Sequence, residues 1–370
     1  MTKSHESHEK EKREPLFHIA KRGGISFRQA VLIRACAIVF ALLVAAIVIM
    51  LIIHENPIRV YASMISGAFG SSRRIWNLLQ NMAVLLCISL GVTPAFRMRF
   101  WNCGAEGQVL IGGLATAACM LYLGDKMPLP LLLLTMTAAS ILAGVVWAVI
   151  PAVFKARWNT NETLFTLMMN YMATQLVSFA VKSWAKDGSG VLRPMEQFGF
   201  PRLFGKAYLL NVLVVLVLTV VMYGYLKYSK HGYEIAVVGE SENTARYVGI
   251  NVRKVIIRTL VLSGAVCGLA GLILVGGTDH SVNTATVGGQ GFTAIMVSWL
   301  AKFNPITMVL TTFLLAFLQV GSKQISTDFR LDDSLSDIVM AIILFFIIGS
   351  EFFINYRLVF NRRKKGENEA

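Results

Sequence analysis

The sequence predicts an all-α polytopic membrane protein. Hydrophobic residues make up 55% of its 370 residues and charged residues only 15%, and the mean hydropathy is +0.60. A soluble protein carries roughly 25% charged residues. The apolar residues also fall into blocks of about 20, the length that crosses a hydrocarbon layer of roughly 30 Å as a helix. The lipid bilayer is therefore the first partner that the sequence indicates.

Ten such blocks follow one another along the chain. The first comes after a polar tail and is too long for the apolar region of a signal peptide, so we expect it to be retained. The eighth is the weakest, because its continuous apolar part is short enough for a re-entrant segment. The predicted spans are 30–53, 75–95, 103–123, 130–154, 163–183, 207–227, 255–277, 284–301, 305–322 and 335–356.

Basic residues predict the orientation of these spans. Lys and Arg concentrate in the tail 1–29, in short alternate loops and in the tail 358–370, so both ends of the transmembrane domain 30–357 are expected in the cytoplasm. The outer loop 184–206 is an exception that its length allows. The net charge of +14 thus marks a membrane surface rather than a nucleic-acid partner. The basic residues of the tails and the outer loop are Lys10, Lys12, Arg13, Lys21, Arg22, Arg28, Lys186, Arg193, Arg202, Lys206, Arg362, Arg363, Lys364 and Lys365.

Two glycine-rich segments suggest an inverted repeat. The third span opens with G-A-E-G-Q (104–108) and the eighth with G-G-Q-G-F (288–292). Each is the second span of a four-span group, spans 2–5 and 7–10, and the groups run in opposite directions. Such paired segments point to a transport pathway, although small residues also serve close helix packing. Structural or gating roles are predicted for Asn102, Gly104, Glu106, Gly107, Gly288, Gly289 and Gly291.

Glu106 is expected near the cytoplasmic end of its span, about one turn from Arg97 and Arg99. The dipole of a helix N-terminus favours an acid there by roughly 0.3–1 kcal/mol. A direct contact with substrate is not required to explain this acid.

Polar residues form stripes on two other spans. Thr163, Thr166, Asn170, Thr174 and Ser178 recur at steps of three and four, and so share one face of span 5. Such a face either lines a water-filled path or bonds to neighbouring helices. Since few ionisable groups lie inside the spans, a neutral, hydroxylated solute is favoured over an ion. The predicted pathway residues are Asn77, Gln80, Asn81, Gln108, Thr166, Asn170, Tyr171, Thr174, Gln290 and Phe292.

The chain carries no motif for an energy source or a hydrolytic reaction. It lacks G-x-x-x-x-G-K-[ST], H-E-x-x-H and a Ser nucleophile elbow, so no enzymatic activity of its own and no bound cofactor are expected. Its five cysteines lack metal-ligand spacing, and no metal site is predicted.

The loop 228–254 instead predicts a docking element. Residues 241–248 read as a short helix that Ser241 or Glu240 caps and Gly249 ends. A solvated connector is the alternative. The residues expected to couple to a partner are Glu240, Ser241, Asn243, Ala245, Arg246 and Gly249.

Several segments, in order, resemble ABC importer permeases of the simple-sugar and nucleoside (branched-chain amino acid/ribose-type) family. They are N-C-G-A-E-G-Q (102–108), N-E-T-L-F-T-L-M-M-N-Y (161–171), G-Y-E-I-A-V-V-G-E-S-E-N-T-A-R-Y-V-G-I-N-V (232–252), L-S-G-A-V-C-G-L-A-G (262–271) and G-G-Q-G-F-T-A-I…N-P (288–305). The match covers most of 75–325, and the 161–171 segment is most similar to nucleoside permeases that work with lipoprotein receptors.

The resemblance implies a pore-forming subunit in a bacterial inner membrane. Its implied partners are two ATPase subunits that bind the ATP, a second permease that makes a heterodimer, and an external substrate-binding lipoprotein. The expected solute is a nucleoside, with a monosaccharide such as ribose or galactose as the alternative. Trp101, Tyr171 and Phe292 could stack a base, and an interfacial anchor is the equal alternative for Trp101. A self-contained secondary carrier or channel is the alternative from another class.

Overall fold

The computed structural model describes residues 17–22, 26–185, 190–192 and 198–360. Within these ranges, nine helices are long and apolar enough to cross a membrane, which confirms the predicted all-α polytopic class. They are all the helices except α2, α8, α9 and α11. The helices are α1 (Phe27–Val48), α2 (Pro57–Phe69), α3 (Ser72–Arg97), α4 (Ala105–Leu123), α5 (Leu129–Trp158), α6 (Glu162–Trp184), α7 (Leu209–Tyr228), α8 (Lys230–Glu240), α9 (Glu242–Tyr247), α10 (Val252–Leu274), α11 (Gln290–Leu300), α12 (Pro305–Phe329) and α13 (Asp333–Asn355).

Much of the predicted basic tails, and part of the outer loop, lie outside the described residues. This applies to Lys10, Lys12, Arg13, Lys186, Arg193, Arg362, Arg363, Lys364 and Lys365. The chain divides into two compact units, one formed by residues 63–324 and one by the ends of the chain, up to residue 62 and from residue 325.

The unit made by the chain ends is built on an antiparallel pair of helices, α1 and α13. Arg34 forms an ion pair with Glu351, and the rings of Phe40 and Phe346 meet edge to face 5.1 Å apart. A two-stranded antiparallel ladder of β1 (Phe17–Lys21) and β2 (Tyr356–Phe360) continues this pair. The sequence analysis did not anticipate these strands. The ladder brings both ends of the described chain to one side, and the identity of that side stays a prediction.

Residues 63–324 pack around α10, which contacts α3, α4 and α5. Glycines on α5 and α10 let the two backbones touch. A Cβ atom at Gly268 would lie 2.3 Å from the Ser140 carbonyl oxygen, and one at Gly144 would lie 2.3 Å from the Gly264 carbonyl oxygen. We call Gly144, Gly264 and Gly268 the glycine seam.

The predicted eighth span, 284–301, is not a full-length helix. Its helical part, α11, has 11 residues and is therefore only about 16 Å long. The chain nevertheless crosses this unit here. The segment after α10 lies beside Gln80 in the first half of α3, whereas the start of α12 lines a cleft with Arg97 at the last turn of α3. Residues 280–289 and α11 together make the crossing, so nine long helices replace the ten predicted.

Candidate translocation and coupling sites

The two glycine-rich segments meet at Glu106. This residue lies in the first turn of α4, and its carboxylate accepts hydrogen bonds from the backbone N–H groups of Gly289 (2.8 Å) and Gly291 (2.7 Å) at the start of α11. We call these three residues the Glu106 clamp. The carboxylate lies at the N-terminal ends of two helices, where both dipoles stabilise a negative charge. A Cβ atom at residue 291 would lie 2.5 Å from the Glu106 nitrogen, so glycine is required for this approach.

The clamp lies deeper than the sequence suggested. The Asn102 side-chain amide donates to the Ser263 hydroxyl at 3.1 Å, and Ser263 is the twelfth of the 23 residues of α10. That position is about 16 Å from the first residue of α10. The segment 98–104 therefore turns back from the end of α3 towards the middle of the bundle. The helix α4, whose first turn contains Glu106, therefore begins beside the midpoint of α10.

Asn170 and Thr166 of α6 hold this returning segment. The Asn170 amide donates to the Cys103 carbonyl at 2.8 Å, and its oxygen accepts from the Gly107 N–H at 2.9 Å. The Thr166 hydroxyl accepts from the Cys103 N–H at 3.2 Å. Both side chains are buried. Of the two roles that the polar stripe allowed, hydrogen bonding to a neighbouring segment is the one observed at these two positions.

Two more predicted pathway residues complete this network. Thr174 donates to the Asn170 carbonyl at 3.1 Å. The buried Gln108 amide donates to the Asn102 side-chain oxygen at 3.2 Å, and the same oxygen accepts from the Gly104 N–H at 3.2 Å. The predicted pathway and gating residues around Asn102 thus form one connected polar cluster.

The exposed face of α11 carries large apolar side chains. Phe292 (43% exposed), Met296 (45%) and Trp299 (49%) recur at steps of four and three. Trp299 packs against Trp101 with ring centroids 5.6 Å apart and ring planes tilted by 34°. Trp101 is itself 46% exposed. We call these four residues the aromatic face. The sequence analysis missed Trp299 and Met296, although their helical spacing from Phe292 was a usable signal.

The irregular chain before α11 indicates what the aromatic face borders. Gly288 and Gly289 have left-handed backbones (φ +61° and +78°) and are exposed. Gly289 bonds to Glu106 at the depth of the clamp. Irregular backbone at membrane depth is tolerated where it contacts protein or water, not where it faces lipid tails. Exposed irregular backbone of this kind suits a surface next to water or protein better than a surface against lipid. Gln290 beside Gly289 is half-buried.

Tyr171 lies elsewhere, on the outer side of α6, and is 70% exposed. The structure does not bring it into the polar cluster with Asn170.

The polar residues at the start of α3 also include both buried and accessible side chains. Gln80 is buried, bonds to the Thr278 hydroxyl and accepts from the Asn211 amide at 2.9 Å, so it ties α3 to α7 and to the end of α10. Asn77 is exposed, and its carbonyl accepts from the half-buried Asn81 amide at 2.8 Å. The shared face that the spacing predicted therefore contains one buried crosslink and two more accessible amides.

The short helix predicted at 241–248 is confirmed as α9. The Ser241 hydroxyl accepts from the Thr244 N–H at 3.2 Å and caps the helix, and Gly249 follows it with φ +80°. Glu240 ends α8 and does not cap α9. Asn243 and Arg246 are exposed, and Arg246 pairs with Glu242 at 3.3 Å.

One side of α9 is anchored in the bundle. Ala245 is fully buried in an apolar cluster with Ile235 and Val238 of α8, Met98 after α3 and Val252 of α10. A predicted coupling residue thus serves as an anchor and cannot itself touch a partner.

The opposite side of α9 is open. Tyr247 is 91% exposed and Val248 is 62% exposed. Neither residue is among the coupling residues predicted from the sequence, although large apolar side chains in a polar loop are a recognisable signal. The helix therefore presents an apolar surface on an element that is firmly attached to the returning segment 98–104.

Comparison with known proteins agrees with this architecture. The family described as the permease component of the branched-chain amino acid transport system matches residues 74–348. The guanosine ABC transporter permease protein NupP of Bacillus subtilis is 30% identical over 340 residues, which cover 88% of this chain and 95% of that protein. The glucose ABC transporter permease protein TsgB13 of Haloferax volcanii is 28% identical over 342 residues (88% and 90%). The nucleoside ABC transporter permease protein NupB of Lactococcus lactis is 27% identical over 331 residues (86% and 90%).

The chain belongs to this family of ABC transporter permeases. It is a multi-pass cell-membrane protein and the pore-forming subunit of an importer. Partner subunits hydrolyse the ATP, and the family works with ATPase and substrate-binding partners. The expected absence of its own ATPase motif agrees with this membership.

Proposed function

We propose that this permease imports a nucleoside along a path bordered by the aromatic face and the Glu106 clamp. The observation that carries the proposal is the half-exposed aromatic face of α11, a helix that begins at the exposed, irregular glycines bonded to Glu106. A nucleobase is flat and stacks on aromatic rings, a contact worth about 1–3 kcal/mol per base in nucleic-acid complexes. Two of the similar permeases are named for guanosine and for nucleosides.

A monosaccharide is the second candidate, because another similar permease is named for glucose. Both solutes are neutral and hydroxylated, so the scarcity of ionisable groups inside the spans suits either. Aromatic stacking favours the nucleoside, since a sugar lacks a flat π-face.

The proposed machine includes ATPases that dock on α9 from the cytoplasm, a second permease that completes the pore as a heterodimer, and an external lipoprotein that delivers the solute. The basic loops support a cytoplasmic position for α9. Its exposed Tyr247 and Val248 suit an apolar contact. ATP-driven movement of the ATPases would bias a two-state bundle through this contact.

The anchoring of α9 suggests the route of that bias. Ala245 shares its cluster with Met98 and Phe100 of the returning segment. Asn102 of the same segment bonds to α10, and the segment leads directly to Glu106. A displacement of α9 therefore acts on the clamp through one continuous stretch of packed chain.

The test is ATP hydrolysis by the assembled importer in vesicles, with its receptor and with guanosine, ribose or glucose supplied separately. We expect guanosine to stimulate hydrolysis and to be taken up. Replacing Trp299 by Ala should weaken guanosine uptake about 5- to 150-fold, the factor for 1–3 kcal/mol. Trp158→Ala is the matched control, because Trp158 lies on α5 and stacks on Phe154 instead.

Three outcomes would overturn parts of this proposal. Stimulation of ATP hydrolysis by glucose or ribose and not by guanosine would show that the solute is a monosaccharide. Equal loss in both tryptophan variants would remove the aromatic face from the path. Uptake driven by an ion gradient without any ATPase would contradict the docking role of α9.

A further inference from the structure

A basic cleft opens where α3, α7 and the connection to α12 meet. It has a volume of about 320 Å³, at the lower end of the roughly 300–1,000 Å³ range of small-molecule sites. Of the eight described residues that line it, three are cations and none is acidic. The lining residues are Arg97, Tyr223, Leu226, Lys227, Lys302, Phe303, Asn304 and Pro305.

Three elements aim positive charge at this cleft. Arg97 is placed by a bond from its guanidinium to the Leu226 carbonyl at 3.1 Å, and a guanidinium has further donors to offer. The Lys227 ammonium donates to the Tyr223 hydroxyl at 2.6 Å and lies over the Tyr223 and Tyr228 rings. Lys302 comes from the connection between α11 and α12. Like charges brought together in this way favour an anionic ligand.

The position of the cleft indicates which anion. It lies at the last turns of α3 and α7 and at the first turn of α12, where spanning helices leave the hydrocarbon layer. Val217 and Val220 of α7, and Ile306 and Leu310 of α12, are each more than half exposed on the membrane side of it. An occupant with a phosphate group and apolar tails fits both surfaces at once.

We propose that the cleft binds the phosphate headgroup of an anionic phospholipid, with the acyl chains against α7 and α12. The predicted orientation places it in the cytoplasmic leaflet, where anionic lipids attract basic groups. Free phosphate shares the headgroup chemistry but has no acyl chains to contact the apolar surfaces of α7 and α12. The site is independent of the imported solute, although its Phe303 meets Trp299 of the aromatic face edge to face at 5.4 Å.

The experiment measures lipid binding to the intact importer complex by native mass spectrometry, without solute or ATP. Phosphatidylglycerol and phosphatidylcholine with the same acyl chains are titrated separately. We expect phosphatidylglycerol to bind more tightly. The double variant Lys227→Gln/Lys302→Gln should weaken its binding roughly 30-fold, the factor for two charges at about 1 kcal/mol each. Binding of phosphatidylcholine should not change.

A matched control removes two exposed cations from other helix ends, Arg157→Gln/Lys254→Gln, and should retain phosphatidylglycerol binding. The proposal is wrong if both double variants lose affinity equally, because general electrostatics would then suffice. Equal binding of the two lipids would also overturn it. Displacement of phosphatidylglycerol by a tenfold excess of inorganic phosphate would assign the cleft to the free anion instead. All four substituted residues are exposed, so complex yield and monodispersity serve as the check on folding.

Discussion

Glu106→Gln is the sharpest test of the clamp between α4 and α11. The substitution keeps the shape of the side chain and removes its charge. The carboxylate accepts from two backbone N–H groups, at 2.8 Å from Gly289 and 2.7 Å from Gly291. The carboxylate presents a separate oxygen to each N–H group, whereas a glutamine in the same position presents one oxygen and one NH₂ group. One N–H then faces the NH₂ group and has no acceptor.

The cost follows from the group left unpaired. A buried donor without an acceptor costs about 1–3 kcal/mol, which applies to the buried Gly291 N–H, whereas the exposed Gly289 N–H can bond to water. That free energy corresponds to a roughly 5- to 150-fold change in the equilibrium between the clamp with its hydrogen bonds formed and the clamp with them broken. The loss of charge at two helix N-termini acts in the same direction.

Hydrogen exchange of the peptide 286–292 measures this change directly, because the Gly289 and Gly291 amides are protected by the contact itself. We expect faster exchange at these amides in the complex that carries Glu106→Gln. Glu162→Gln is the matched control. It also removes an acid from the first turn of a helix, α6, but its partner is Lys155 at 2.9 Å. Wild-type exchange rates in the Glu106 variant, or equal acceleration in both variants, would refute the clamp.

Four further substitutions separate coupling, packing and path. Tyr247→Ala removes an exposed ring, so we expect normal thermal stability but weaker stimulation of the ATPases; full stimulation would exclude this contact. Ala245→Leu overfills a buried cluster and should cost about 1–3 kcal/mol, seen as a lower Tm of the purified protein, and an unchanged Tm would contradict the anchoring of α9. Asn170→Leu leaves the Gly107 N–H and the Cys103 carbonyl unpaired, so uptake should fall while the ATPases still co-purify; normal uptake would count against the polar cluster. Gly268→Leu places a side chain against the Ser140 carbonyl and should abolish a monodisperse elution peak, whereas a normal peak would argue against the backbone contact.

Local signals in the sequence predicted the elements that local chemistry determines. The Ser241 cap and the Gly249 stop located α9 within a residue or two, because both act within one helical turn. The long apolar blocks predicted the spanning helices because each block is continuous in the sequence and long enough to cross the hydrocarbon layer. The placement of Glu106 in the first turn of a helix also followed from its immediate neighbours.

Non-local contacts decided the remainder. The crosslink between Gln80 and Asn211 joins residues 131 positions apart, which a single sequence does not reveal. The burial of Ala245 and the exposure of Tyr247 depend on how α8 packs against α3 and α10, and their spacing alone allows either assignment. The contact between Asn102 and Ser263 is also non-local. The sequence shows only that the apolar block 103–123 follows the basic residues Arg97 and Arg99, so it predicts a span that starts at the membrane surface.

The glycine seam between α5 and α10 has a consequence for movement. A shift or rotation that brings a larger side chain into the glycine seam would cause a collision, so we expect α5 and α10 to move as one body. The other side of α10 meets the returning segment through hydrogen-bonded side chains, which can exchange partners more easily. A spectroscopic label pair on α5 and α10 should therefore report a constant separation through the transport cycle. A label pair on α5 and α11 should report a separation that changes during the cycle, measured against the constant separation of α5 and α10.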